Sequence, residues 1–519
     1  MIREHIRSIN APFILDPLTR RCLTIAIFLI GFTSFRNLPL SRSLWLDETV
    51  TAWVISDTWG EAWTRAATFQ AQSPLYFLLV KAWPWTDDFG LMTLSLLFGL
   101  LSGLGVYLTV RELLGNDAAL WSILLLITGT DLLKISIQVR PYALGLVGAS
   151  WSLIFLLRWL ASRKCHLLIF HISSLLLAFY AHYLFGLVGI GSLAAMVLWG
   201  DRSAWRPYLI GVAGGSLFAA PGFYHLFWWS RKAGDSLFTP APQLSEFFKL
   251  ILPLEAVVFL SFSLVVAAIF AKKAPVIDCY RTLILSLILI FVGLCVLFLA
   301  SSIAGGSLFI DRYLSWRISG VVLFGVLVVT LIQDQVGQRV FLSVYCLLAL
   351  QQSVMRRWFI EDWKRVSTFI QETRDIPVFL YSGLRESEQL SGNAPEELRH
   401  FLSAPLLHYG VSQERIVVLP GFTKSESASQ YSKGVADASR GKNASFFLVV
   451  NDQRLFLAGR GSILPKSALL DFFKEEGARC ELGDLFGDDA RELVKGYRCD
   501  WEGEKLLSAT RRINARSGD

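Results

Sequence analysis

Eleven stretches of about 16–22 mostly apolar residues constrain this chain more than any other feature. They fall at about 22–40, 91–110, 118–137, 141–160, 166–181, 183–199, 207–227, 250–270, 281–300, 313–332 and 340–355, with polar turns between them. A helix of about 20 apolar residues crosses the hydrocarbon core of a bilayer. The chain of 519 residues is 53% hydrophobic and 18% charged, against about a quarter charged for a soluble domain. The expected fold class is a polytopic α-helical membrane protein with about 11 transmembrane helices.

The Lys and Arg residues orient the spans, because cytoplasmic loops collect them. With Arg3, Arg7, Arg20 and Arg21 inside, the inside loops hold Arg111; Arg158, Arg163 and Lys164; Arg202 and Arg206; Lys272, Lys273 and Arg281; and Arg339. The parity holds throughout. It puts residues 41–90, 138–140, 228–249, 301–312 and everything after about 356 outside. The first apolar run lacks a small-residue cleavage site and reads as a retained span. "PLYFLLVKAWPW", residues 74–85, is too short to span and carries Lys81, so it reads as re-entrant or interfacial. The net charge of +7 fits the inside bias and calls for no nucleic acid.

The division expected is a membrane domain over 1–355 and a C-terminal extracytoplasmic α/β domain over 356–519. In the tail, "EDWKRVSTFIQET" and "APEELRHFLSAPLLHYG" have helical spacing, while "DIPVFLYSG", "ERIVVLPG" and "ASFFLVVND" read as strands. That alternation predicts a layered domain with some parallel sheet. Cys480 and Cys499 lie on two later segments that pair as strands, and they bond if the tail lies in an oxidising compartment. Cys22, Cys165, Cys279, Cys295 and Cys346 sit in or beside spans and read as small buried hydrophobes. No spacing suggests a zinc site.

Four polar clusters map to the outer ends of the spans. "SLWLDETVTAW" places Asp47 and Glu48 just after the first span. Asp47 reads either as a helix cap, with Glu48 favoured by the helix dipole, or as a general base in a partly dry cleft. The nearby Trp45, Trp53, Trp59 and Trp63 suggest an amphipathic segment in the membrane interface. "ISIQVRPYALG" brings Gln138, Arg140 and Tyr142 into one tight turn, where Arg140 either snorkels or clamps a phosphate. "YAHYLFG" contributes His182 and Tyr183. "IDRYLSWR" contributes Asp311, Arg312, Tyr313 and Arg317, either self-paired or facing a lipid phosphate. Convergence at one end suits an active site better than a transport path, which needs polar groups at the midplane.

The order "LWLDET", "SPLYFLLVKAW", "QVRPYAL", "YAHYLFG", "DRYL" and "EDWKR" before a strand resembles the GT-C superfamily of integral-membrane glycosyltransferases. The bacterial glycosyltransferase family 39-like group is nearest, with the protein mannosyltransferases and the lipid A aminoarabinose transferases as relatives. The resemblance implies a hexosyl or pentosyl transferase that inverts at the sugar. Its donor is a polyprenyl-phosphate-linked sugar, and its acceptor is a glycan, lipid or protein at the outer face of a bacterial inner membrane. By the family pattern Asp47 is the base with Glu48 beside it. Arg140, Arg312, Lys81, Tyr142 and Tyr313 are candidates for holding the donor phosphate. Gln138, His182, Tyr183 and Tyr76 complete the site candidates. A divalent metal on Asp47 and Glu48 stays open, and no other cofactor is implied. Two positions depart from the pattern. Gln138 stands where an acid is frequent, and Gln72 with Ser73 replaces His-Pro before "PLY". The alternatives are a flippase of lipid-linked sugars and an inactive scaffold.

Overall fold

A computed structural model describes residues 13–70, 72–232, 242–251, 254–270, 280–304, 308–355, 361–373, 375–384, 386–387, 390, 394–420, 426–440, 443–451, 465–483 and 494–501. The readings placed on Arg3, Arg7, Lys272, Lys273, Cys279 and the Asp311 side chain fall outside them. The chain forms two compact units, one of Met1–Leu40 with Trp59–Arg357 and one of Ser41–Thr58 with Trp358–Asp519. The second unit therefore includes a piece of the first loop, where a single cut near residue 355 was expected.

In the first unit every apolar segment named above overlaps a helix. Among the described residues six helices are long and apolar enough to cross a membrane: Pro17–Arg36, Asp88–Leu114, Tyr142–Ser162, Arg202–Trp229, Tyr280–Ile303 and Arg312–Thr330. The pair Asn116–Thr128 and Thr130–Ser136, bent by 65° where Gly129 turns extended, makes a seventh if it is counted as one broken span and not as a re-entrant loop. Cys165–Ala181, Tyr183–Trp199 and Val258–Ile269 are apolar but shorter. The large side chains Phe28, Phe32, Leu217 and Phe218 are more than half exposed. So much exposed apolar surface suits lipid and not water. Cys22 and Cys165 are exposed too, contrary to the buried reading.

Ion pairs test the loop parity. Arg339 pairs with Asp16 at 2.9 Å, Arg20 with Asp117 at 2.7 Å, Arg163 with Asp201 at 2.7 Å and Arg158 with Glu112 at 4.0 Å. Each pair joins two segments assigned to the inside. One close approach positions the other end: a Cβ on Gly148 would lie 2.5 Å from the Ala178 nitrogen. A larger residue there would push apart the helices that lead to Tyr142 and His182.

The second unit is built on a five-stranded sheet. Its strands are β1 (Val378–Tyr381), β2 (Ile416–Val418), β3 (Ser445–Asn451), β4 (Ala478–Leu482) and β5 (Val494–Trp501), in the order β2-β1-β3-β5-β4. β1 is parallel to both β2 and β3, whereas β5 runs antiparallel to β3 and β4. β1 and β3 read "VFLY" and "SFFLVVN" because strands covered on both faces need no polar alternation. Phe379, Phe446, Phe473 and Trp501 stack behind the sheet, with Phe446 4.8–4.9 Å from each of the other three. Cys480 and Cys499 face each other across β4 and β5 and form a disulfide.

Candidate functional site

The acid pair belongs to the second unit. Its helix, Leu46–Ile55, contains five β-branched residues, which are poor helix formers. Packing holds it instead, since nine of its ten residues are buried. Trp53 is 6% exposed and meets the Phe401 ring edge-on at 5.5 Å. The interfacial reading therefore fails for Trp53, while Trp59 and Trp63, on the first unit's helix Trp59–Phe69, are more than half exposed. The strand leading into the acid helix is tied to the tail. The Tyr409 hydroxyl accepts from Leu44 N–H at 2.8 Å, and Ser43 Oγ accepts from Lys364 N–H at 3.2 Å.

Three carboxylates gather at the start of this helix, in different states. Asp47 is not the cap: the N-cap is Trp45, and Asp47 sits in the first turn, half-buried. Glu48 is fully buried. It receives Arg42 Nη1 and Nη2 on its two oxygens at 2.6 Å each and accepts the Trp45 N–H at 2.9 Å. A bidentate guanidinium of this kind fixes geometry as well as charge. Glu361, from the tail, is the third. Its Oε2 accepts from Leu46 N–H at 2.8 Å and from the Trp363 indole at 3.1 Å. Burial, and then the charges of Asp47 and Glu48, push its carboxyl up to about 7 against the pull of the two hydrogen bonds. Because Arg42 covers both Glu48 oxygens, the Asp47–Glu48 pair does not fit a cation. Among the described residues no group of three or more His, Cys, Asp or Glu has metal-ligand geometry.

The second cluster lies in the first unit. Arg140 is buried in the turn before the helix Tyr142–Ser162, where its N–H bonds to the Gln138 carbonyl at 2.8 Å and Nη1 to Gln70 Oε1 at 3.0 Å. Tyr142, His182 and Tyr313 form an aromatic triangle, with centroids 5.5, 5.0 and 6.0 Å apart. Arg312 lies over the Tyr313 ring at 5.7 Å. Both Arg140 and Arg312 act electrostatically on His182. Among the described residues, the Gln138 Oε1 and His182 Nδ1 atoms are buried without a hydrogen-bond partner.

Four sequence candidates have described contacts outside this cluster. Tyr183 bonds through its hydroxyl to His225 Nδ1 at 2.7 Å, and His225 Nε2 reaches the Ala67 carbonyl at 3.0 Å. That chain ties the helix Arg202–Lys232 to Trp59–Phe69. Lys81 Nζ sits over the Trp59 ring at 5.6 Å, and Tyr76 packs edge-on against Phe77. Arg317 donates to the Leu250 carbonyl at 2.9 Å and pairs with Asp131 at 3.7 Å.

Residues 85–228 match the family model of the dolichyl-phosphate-mannose-protein mannosyltransferases. This supports membership of the GT-C superfamily. The matched segment contains Gln138, Arg140, Tyr142, His182 and Tyr183, and it leaves out Asp47, Lys81 and Arg312. A comparison with curated proteins returned no match. Among solved structures the chain is similar to ArnT of Cupriavidus metallidurans in its apo state, at 11% identity and a TM-score of 0.44, with 92% of this chain and 97% of that chain covered. The same protein bound to undecaprenyl phosphate matches at 12% identity and a TM-score of 0.42, with the same coverage. Below a TM-score of 0.5 neither likeness bears on the activity.

Glu361 and Arg42 were missed as site residues in the sequence. The signal for Glu361 was present in "EDWKR", which served only as a marker of the family order. Arg42 stands six residues before Glu48, a spacing that no helix or strand rule joins.

Proposed function

We propose that the protein is a membrane glycosyltransferase that moves a sugar from a polyprenyl-phosphate carrier to an acceptor hydroxyl, with inversion, at the outer face of a cytoplasmic membrane. The observation that carries the reaction class is the family match over residues 85–228. The base assignment rests on the exposure of the three carboxylates: Glu48 and Glu361 are buried, whereas Asp47 keeps exposed surface.

In the proposed step Asp47 takes the proton of the acceptor hydroxyl as its oxygen bonds to the anomeric carbon. The anomeric bond to the carrier phosphate breaks, and the phosphate leaves with the electron pair. The carrier thereby gains one negative charge, so it needs cations more than a proton donor. Arg140 and Arg312 supply them. The Tyr313 ring backs Arg312, and Gln138 Oε1 and His182 Nδ1, without a hydrogen-bond partner among the described residues, are suited to hydroxyl groups of the sugar. We assign no step to a metal.

The location has two supports. The Cys480–Cys499 disulfide suits an oxidising compartment. The loop Ser41–Thr58 folds into one unit with the tail, as two segments on the same side of a membrane must. With the basic N-terminus cytoplasmic, that side is the outer one. Mass spectrometry of envelope glycans, lipids and proteins with and without the protein tests the proposal. A missing sugar on one product is expected. Unchanged products with a redistributed lipid carrier would overturn it.

A further inference from the structure

An α-helix leaves its first four backbone N–H groups without intrahelical partners, and a buried N–H without a partner is costly. At the helix Leu46–Ile55 two carboxylates meet that need. Glu48 takes the N–H of Trp45 from within the helix. Glu361 takes the N–H of Leu46 from 315 residues away, and the Trp363 indole steadies the same oxygen. Both carboxyl groups sit at the helix N-terminus, where the dipole favours negative charge. The residue between Leu46 and Glu48 is Asp47.

We propose that Glu361 is a positioning residue: through the Leu46 N–H it holds the first turn of the helix Leu46–Ile55, and so fixes the Asp47 carboxylate for its work. The catalytic half of this inference rests on the reading of Asp47 as the base; the holding half does not. Glu361 is well placed for the task because it is itself fixed. It lies beside the N-cap of the helix Trp363–Gln371, where Asp362 accepts from Arg365 N–H at 3.0 Å, and Trp363 is fully buried. The tail thus controls the geometry of a loop that a sequence reading assigns wholly to the membrane domain.

Two variants of the full-length protein separate positioning from mere packing. Glu361→Leu removes the acceptor. Glu361→Gln removes the charge and keeps an oxygen for both donors. Amide hydrogen exchange over Trp45–Thr49 should rise about tenfold in the Leu variant, the effect of a lost cap, and stay within about threefold of the parent in the Gln variant. The glycan product missing from cells without the protein should fall by about tenfold or more in the Leu variant and return with Gln, since small misplacements of a reacting group cost that much. Exchange in β1 and β3 should not change. Unchanged exchange over Trp45–Thr49 in the Leu variant, or a Gln variant that behaves like Leu, overturns the proposal. If the Leu variant does not accumulate, the Gln variant decides alone: parental exchange and product support the proposal, and raised exchange overturns it. Asp47→Asn tells this failure from failure of the base reading. It should remove the product and leave the exchange at the parental rate. A normal product from it overturns the base reading and the catalytic half of the inference, while the exchange rates judge the holding half.

Discussion

Two short helices, Leu46–Ile55 and Trp59–Phe69, are separated by three residues, and each carries tryptophan, one in the first and two in the second. Their fates differ. The first is buried nearly all round in the unit built on the sheet, and its Trp53 packs on Phe401. The second buries only Ala62, Arg65 and Ala66 and leaves its tryptophans exposed in the unit that holds the spans. Tryptophan beside a membrane span thus does not by itself mean a membrane interface. What decides is whether a distant segment supplies a matching apolar face, as the tail does for Trp53.

The contrast breaks first at the tryptophans. Trp53→Ala should lower the stability of the full-length protein by about 4 kcal/mol, the cost of emptying a packed aromatic site. A thermal-shift series in detergent would read it, and a change below about 1 kcal/mol would mean that the helix is not held by its packing.

A smaller effect sharpens the comparison at the helix start. The folded-state pKa of Glu361 is about 7, above its ordinary 4.5. Between those values the folded protein keeps a proton that the unfolded chain has lost. Stability should therefore fall as pH rises from about 4.5 to 7, by up to about 3 kcal/mol from this group. The charged groups that act on it are Asp47 and Glu48, the latter already paired with Arg42. Glu361→Gln has no such proton to lose, so its melting temperature should vary less with pH over that range. Equal pH slopes in parent and variant would remove Glu361 as the source. The smallest effect belongs to the second helix: Trp63→Ala, at an exposed position, should shift stability by less than about 0.5 kcal/mol.

Much of the fold was legible in the sequence, because membrane spans and covered strands leave local marks. All eleven apolar segments overlap helices, and the split at His182 was readable from "YAHY", where the backbone turns extended between two helices. The kink at Gly129 was legible only as "TGTD" inside a run otherwise fit to span, and it was passed over. In the tail, "VFLY" and "SFFLVVN" announced strands covered on both faces. At the site, the ring cluster of Tyr142, His182 and Tyr313 was legible as separate motifs at the ends of separate spans. The links that organise the acid pair were not. Leu46 to Glu361 and Trp53 to Phe401 join residues hundreds of positions apart. Such contacts leave no periodicity and no spacing to read. Glu48 was read as a neighbour of Asp47 with its part left open, since nothing local marks the arginine that occupies it.

The most direct measurement takes cells lacking the protein and returns either the parent or Asp47→Asn. The glycan product is then quantified by mass spectrometry against matched protein levels. If Asp47 is the base, the variant makes about 100- to 10,000-fold less product than the parent, with amide exchange over Trp45–Thr49 unchanged. Product at the parental level would contradict the assignment of the reaction's base to the one carboxylate of the three that keeps exposed surface.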